Sequence, residues 1–249
     1  MLTINHLTKN YGEVKAVDDL TLHIAPGEIF GFIGHNGAGK TTTIKCCCGI
    51  LAFESGEILL NGKDIKKEPL ACKRDLAYLP DNPDLYDYMT GIQFLNFVCD
   101  IFGVSAEARQ ERIHYYADQF ELTGSLGQTI SSYSHGMKQK LAIISAWIHE
   151  PKLIIMDEPF VGLDPKATHI VKGMMREVCD RGGAIFFSTH VLDVAEKLCD
   201  KVAIIKGGKL IRAGRMEEVK GDASLEDVFL ELSDEVSSAD ASENESAEA

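Results

Sequence analysis

The stretch Gly34-His35-Asn36-Gly37-Ala38-Gly39-Lys40-Thr41 spells G-x-x-x-x-G-K-T without a mismatch. Residue types at this spacing suit the capture of a triphosphate. Glycines let the backbone turn tightly enough for successive N–H groups to face phosphate oxygens. Lys40 has the reach for the β- and γ-phosphates, and the Thr41 hydroxyl suits a magnesium ion. Context separates this loop from a chance match. The apolar run Ile29-Phe30-Gly31-Phe32-Ile33 precedes it as a strand, and Thr42-Thr43-Ile44-Lys45 opens a helix whose N-terminus adds free donors and a favourable dipole.

Three further groupings could complete a phosphate site. Lys152-Leu153-Ile154-Ile155-Met156 is an apolar strand ending in the carboxylates Asp157 and Glu158. Asp157 suits Mg²⁺, and Glu158, on the next residue, can act as general base on a water. Alone, the pair equally fits a solvated strand end; the phosphate loop upstream favours chemistry. Ile185-Phe186-Phe187-Ser188-Thr189 ends in His190, a donor suited to developing negative charge. Ser134 and Gly136 begin a helix through Leu141, Ile144 and Trp147. That serine fits a plain N-cap, while the exposed donors of a helix start also suit phosphate.

The elements that must position these groups follow from periodicity. Leu2-Thr3-Ile4 and Leu20-Thr21-Leu22-His23-Ile24 alternate as strands, and Ser55 to Lys63 reads as a strand ending in an Asn61-Gly62 turn. Ala77-Tyr78-Leu79 is a short strand. From about residue 90 to 150 helical periodicity replaces strand signals. Phe94, Leu95, Val98, Ile101 and Phe102 form one expected apolar face, and Ile113, Tyr116, Ala117 and Phe120 another. Strands at Leu153 to Met156, Ala184 to Ser188 and Val202 to Ile205 then alternate with helices, which implies a parallel sheet flanked by helices. Gly207-Gly208 turns the chain into Lys209-Leu210-Ile211. No internal repeat is present.

With 249 residues and 45% hydrophobic content, the chain suits one large α/β domain with a helical insertion. No apolar run approaches the roughly 18 to 20 residues that span a bilayer, and the first residues do not resemble a signal peptide; both features lead to an expected cytosolic location. Seven cysteines, three of them consecutive (Cys46, Cys47, Cys48), lack C-x-x-C spacing and read as buried free thiols. The net charge of −13 argues against a nucleic-acid partner. Asp234, Glu235, Asp240, Glu243, Glu245 and Glu248, without a basic residue, make 231–249 an acidic tail expected to lack a fold.

Together these motifs resemble the ATP-binding cassette (ABC) family, specifically the nucleotide-binding subunit of a transporter. The resemblance covers about residues 1 to 230, with a helical subdomain inserted at about 90 to 150. It implies an α/β fold: a P-loop NTPase core with a mainly parallel sheet, an N-terminal antiparallel β subdomain and the inserted helices. Tyr11 is similar to the aromatic residue that stacks on adenine, with Val17 nearby. Gly34 to Thr42 resembles the Walker A loop, so Asn36, Gly37, Ala38, Gly39, Lys40, Thr41 and Thr42 are expected to hold ATP. Tyr133 to Met137 resembles the signature motif, Leu153 to Glu158 Walker B, Gly162-Leu163-Asp164-Pro165 the D-loop, and His190 the switch histidine. Lys40, Glu158 and His190 are the implied catalytic residues, and Thr41, Asp81 and Asp157 the implied Mg²⁺ ligands.

Two positions depart from the family pattern. Asp81 stands where glutamine is usual, shorter and charged. The signature has His135 for its first glycine and Met137 for glutamine, a Ser-x-Gly-Met-Lys-Gln form similar to bacterial drug, peptide and bacteriocin-immunity exporters. The resemblance implies a head-to-tail dimer, a homodimer here, with two ATP molecules between the subunits. Lys40, Thr41, Asp157 and Glu158 of one subunit would face Ser134 and Gly136 of the other. It further implies separate transmembrane permease subunits and a peripheral position on the inner face of the cell membrane. A soluble ABC ATPase of macromolecular or iron–sulfur cluster assembly is the alternative within the family.

Overall fold

The computed structural model describes residues 1–232. Nearly all of the acidic tail expected to lack a fold, 233–249, lies outside the described residues.

Two sheets and a set of helices enclose two buried clusters, one on each face of the larger sheet. The larger has strand order β10-β9-β3-β8-β7-β6. In it β3 (Ile29–Ile33), β6 (Leu76–Leu79), β7 (Leu153–Asp157), β8 (Ala184–Thr189) and β9 (Lys201–Lys206) are parallel. β10 (Lys209–Arg215) returns antiparallel to β9 through Gly207-Gly208. The parallel strands are apolar through their centres because both faces are covered. Successive side chains alternate between the two sides. Thus Ile33, Met156, Phe187 and Ile204 face one buried cluster, while Phe32, Ile155, Phe186 and Ile205 face the other.

The second cluster is roofed by a smaller antiparallel sheet, order β2-β1-β4-β5, made of β1 (Leu2–Tyr11), β2 (Val14–Ile24), β4 (Ser55–Leu60) and β5 (Lys63–Asp64). Leu60 pairs with Lys63 across Asn61-Gly62, and both turn residues have positive φ (51° and 78°), the geometry of a type I′ hairpin. Ile4, Leu20 and Ile58 of this sheet pack towards Phe30, Phe32 and helix α1 (Lys40–Cys47). α1 buries Ile44, Cys46 and Cys47 there; Cys48 follows, also buried, and all seven cysteines are free thiols.

The first cluster is covered by helices. Among them are α3 (Gly91–Phe102), α4 (Ala106–Gln119) and α5 (His135–Trp147), which occupy the expected helical region. Each starts on a side-chain cap: Thr90 with Gln93 in a capping box, Ser105, and Ser134. Ile113, Tyr116, Ala117 and Phe120 are buried as expected. Ile101 is not: it is 61% exposed. It lies one residue from the end of α3 and at the edge of the stripe of Phe94, Leu95 and Cys99, where the core no longer covers it. Further helices are α2 (Pro69–Arg74), α6 (Pro165–Asp180), α7 (Leu192–Leu198) and α8 (Met216–Lys220), followed by a last helical stretch at 225–232.

Candidate functional site

Three adjacent parallel strands end side by side. β8 lies between β3 and β7, so the loop after β3, the Asp157-Glu158 end of β7 and His190 after β8 converge at the carboxyl edge of the sheet. Ligands of open α/β sheets bind at this edge. A cleft of about 340 Å³ opens there, lined by the loop from His35 to Thr42 together with Tyr11, Ala16, Asp81, Asp157 and Glu158.

The loop is held by backbone contacts that exclude side chains. A Cβ on Gly39 (φ 106°) would run into the Ala16 carbonyl oxygen, and one on Gly34 would lie 2.6 Å from the Ile205 carbonyl oxygen. Gly208 N–H donates to the Ala38 carbonyl at 2.9 Å. Ala38 is buried, so its share in binding falls to its main chain. Helix α1 starts at Lys40 with no side-chain cap and no acidic residue in its first turn, which leaves its N-terminal donors and dipole for an anion. Lys40 is 6% exposed and its ammonium donates to the carbonyl oxygens of Gly34 (2.6 Å) and His35 (3.2 Å). Burial pushes its pKa below the ordinary lysine value, opposed by the nearby charges of Glu158 and Asp157.

The carboxylates are separately oriented. Thr41 Oγ1 donates to Asp157 Oδ2 at 2.6 Å, and the Ser188 hydroxyl donates to Asp157 Oδ1. Glu158 leaves the strand with φ 46°, its N–H bonded to the Ser188 carbonyl (3.2 Å) and hydroxyl (3.1 Å). This turn brings Glu158 Oε1 to 2.9 Å from His190 Nδ1 and 3.8 Å from Lys40 Nζ. Both are ion-pair distances, and Oε1 accepts no hydrogen bond. Asp81 stands exposed on the rim of the cleft, where its Oδ1 accepts the Asn82 N–H at 2.8 Å.

Tyr11 is half exposed at the mouth of the cleft, with Lys9 Nζ 5.3 Å from its ring centre. Val17 is a correction: it is fully buried in the core under the antiparallel sheet, and Ala16 lines the cleft instead. Neighbours on a strand face opposite ways, so only one of the two can meet a ligand there. Ser134 and Gly136 are absent from the cleft. Ser134 accepts the Met137 N–H at 3.3 Å as N-cap of α5. Ser188, Ala16 and His35 line or support the cleft without having been singled out in the sequence. The signal for Ser188 is a small polar residue near the end of an otherwise apolar buried strand.

The ABC transporter family profile matches residues 17–161. The ABC-type transporter ATP-binding protein EcsA of Bacillus subtilis (strain 168) is 34% identical, over 94% of this chain and 97% of its own length. This chain belongs to the ABC transporter family. A solved structure of an ATP-binding subunit of an ABC transporter superposes on this ABC chain with a TM-score of 0.90 at 34% identity, covering 94% of this chain and 99% of the other. CbiO1 from Clostridium perfringens, described as part of the ABC transporter complex cbiONQ, gives a TM-score of 0.75 at 26% identity over 89% of this chain and 90% of its own. The ABC chain is therefore a P-loop NTPase of α/β class with an antiparallel N-terminal sheet, and an ATP-binding subunit of a transporter.

Proposed function

We propose that this ABC subunit, with residues 1–230 as its ATPase domain, hydrolyses ATP at a site closed by a second like subunit. Closure would drive export through separate membrane subunits. The carrying observation is that the cleft contains Lys40, Thr41, Asp157 and Glu158 but neither Ser134 nor Gly136. A triphosphate in the loop keeps one flank of its γ-phosphate open. The exposed start of α5 presents the donors that would cover that flank from a partner.

Within one subunit the chemistry follows from the geometry. The loop N–H groups and the α1 N-terminus bind the phosphates. Lys40 exchanges the carbonyl oxygens of Gly34 and His35 for phosphate oxygens, which relieves its buried charge. Tyr11 offers its exposed face to the base.

Thr41 and Asp157 fit Mg²⁺, since a hydroxyl and a carboxylate oxygen lie 2.6 Å apart beside the phosphate site. Among the described residues no cluster of three or more His, Cys, Asp or Glu could hold a metal alone, as suits an ion shared with substrate phosphates. Asp81 on the rim is a further oxygen donor. When bound, the ion neutralises charge on the β- and γ-phosphates. Glu158 takes a proton from the attacking water as its oxygen bonds the γ-phosphorus and ADP departs. His190, 2.9 Å from Glu158 Oε1, would hold Glu158 and donate towards the γ-phosphate.

Among the described residues no helix is long and apolar enough to cross a membrane. We assign the membrane passage to partner chains, with this subunit on the inner face of the membrane; the cbiONQ description supports such an assembly. The Ser-x-Gly-Met-Lys-Gln signature supports export. Glu158→Gln tests the scheme: with ATP it should accumulate as a dimer on size-exclusion chromatography and turn over little. Wild-type turnover would remove Glu158 as base, and a monomer at saturating ATP would remove the shared site.

A further inference from the structure

The nucleotide loop is anchored at its two ends by backbone contacts at Gly34, Ala38 and Gly39, but its apex, 35–37, is exposed. A ring contact ties the His35 side chain of that apex to a distant part of the fold. The ring of His35 lies against the ring of Phe229, centroids 4.7 Å apart and tilted by 58°. Phe229 belongs to the last helical stretch, 225–232, far from the loop in sequence.

That stretch is docked firmly. Leu225, Val228 and Phe229 are buried in the helical-side core at 0%, 6% and 7% exposure. Leu225 N–H donates to Glu196 Oε2 on α7 at 3.0 Å, and Lys220 Nζ lies 2.8 Å from Glu196 Oε1. One carboxylate thus pins the start of the stretch and the end of α8. The His35 carbonyl accepts from both Ala38 N–H (3.1 Å) and Lys40 Nζ (3.2 Å). Any movement of His35 therefore moves the turn that aims the loop donors and the contact that parks Lys40.

We propose that Phe229 is a positioning residue for ATP binding: it fixes His35, and through it the apex of the phosphate loop. A glycine-rich loop loses much backbone freedom when it orders around a ligand. An anchor that orders the apex beforehand lowers that cost. The inference rests on the nucleotide-binding role of the loop and is independent of dimer closure. It also makes 225–232 a handle by which displacement of the C-terminal segment lowers nucleotide affinity.

The test is ADP titration of the full chain by calorimetry, with His35→Ala, Phe229→Leu and the double variant, alongside ATP kinetics and melting temperatures. Each single change should weaken ADP by about two- to tenfold, the range for one aromatic contact. The double variant should be no weaker than the weaker single, because both remove the same contact. The loss should appear mainly in KM for ATP. His35→Phe, which keeps a ring against Phe229, should retain wild-type affinity. Additive losses, or a lower melting temperature for Phe229→Leu with ADP affinity unchanged, would show plain core packing and overturn the proposal. So would unchanged ADP affinity in His35→Ala, whose exposed side chain is not needed for folding.

Discussion

Thr41 and Asp157 lie 116 positions apart and share a hydrogen bond of 2.6 Å, the hydroxyl donating to the carboxylate. The second Asp157 oxygen is taken by Ser188, whose own oxygen also receives the Glu158 N–H. Two strands and a helix start are therefore joined by one carboxylate, which is 1% exposed. The pairing holds the oxygens in place before any nucleotide arrives.

Ser188→Ala should test that linkage. It leaves Asp157 Oδ1 short of a donor in a buried site, while the Glu158 N–H keeps only the Ser188 carbonyl. The expected loss is about 1 to 3 kcal/mol in urea unfolding, the cost of an unsatisfied buried polar group. ATP turnover should fall as well, since Glu158 loses one of the bonds that orient it.

Glu158, the proposed general base, also carries backbone strain, because a residue with a Cβ sits at φ 46°. Glu158→Gly and Glu158→Gln should both lose about 10²- to 10⁴-fold in turnover with the general base. Only the glycine variant relieves strain, so it should resist denaturant better than the glutamine variant by about 1 kcal/mol. Equal denaturation midpoints would show that the turn carries no strain.

Stability should fall as the pH drops below neutrality, through His149. Its ring stacks on Phe102 (centroids 3.6 Å apart) and accepts little solvent, and burial holds its pKa below the ordinary 6.5. As pH falls through 6.5 the unfolded chain takes up the proton first, so it binds more protons than the folded state. The stabilising contribution is therefore full above 6.5 and is lost on the way down to the lower folded value, where it levels off. Melting temperatures between pH 7.5 and 5.5 should drop more steeply for the wild type than for His149→Phe. Parallel slopes would exclude His149 as the source.

The seven thiols should be silent in the native protein. Burial pushes Cys46 and Cys179 up to about 11, and Cys47, Cys48 and Cys199 higher still. At pH 8 a thiol at 11 is about one-thousandth thiolate, which starves a thiol reagent of its nucleophile. A chromogenic disulfide reagent should report no fast thiol in the folded chain and seven in guanidinium. A fast-reacting thiol in the native chain would expose one of these sites.

Much of the site was readable from local chemistry. Gly34 to Thr42, Asp157, Glu158 and His190 could be recognised because each sits at the junction of a strand and a loop, where composition changes abruptly. Val17 and Ile101 fall outside the expected pattern for different reasons: the parity of β2 turns Val17 into the core, while Ile101, one helical repeat after Phe94, stands at the end of α3 where the core no longer covers it. Ser188 went unremarked because its partners lie in another strand.

The sequence by itself determined the triphosphate loop, the order of motifs, the alternation of strands with helices and the buried state of the cysteines. All of these depend on residues within a few positions of one another, where spacing and hydrophobic period suffice. Tertiary structure decided which strand ends meet, that Asp157 is shared by Thr41 and Ser188, and that Phe229 reaches His35. Those relationships are set by strand order and by the docking of the last helical stretch. They arise only when distant segments bury their apolar faces together, so no local pattern carries them.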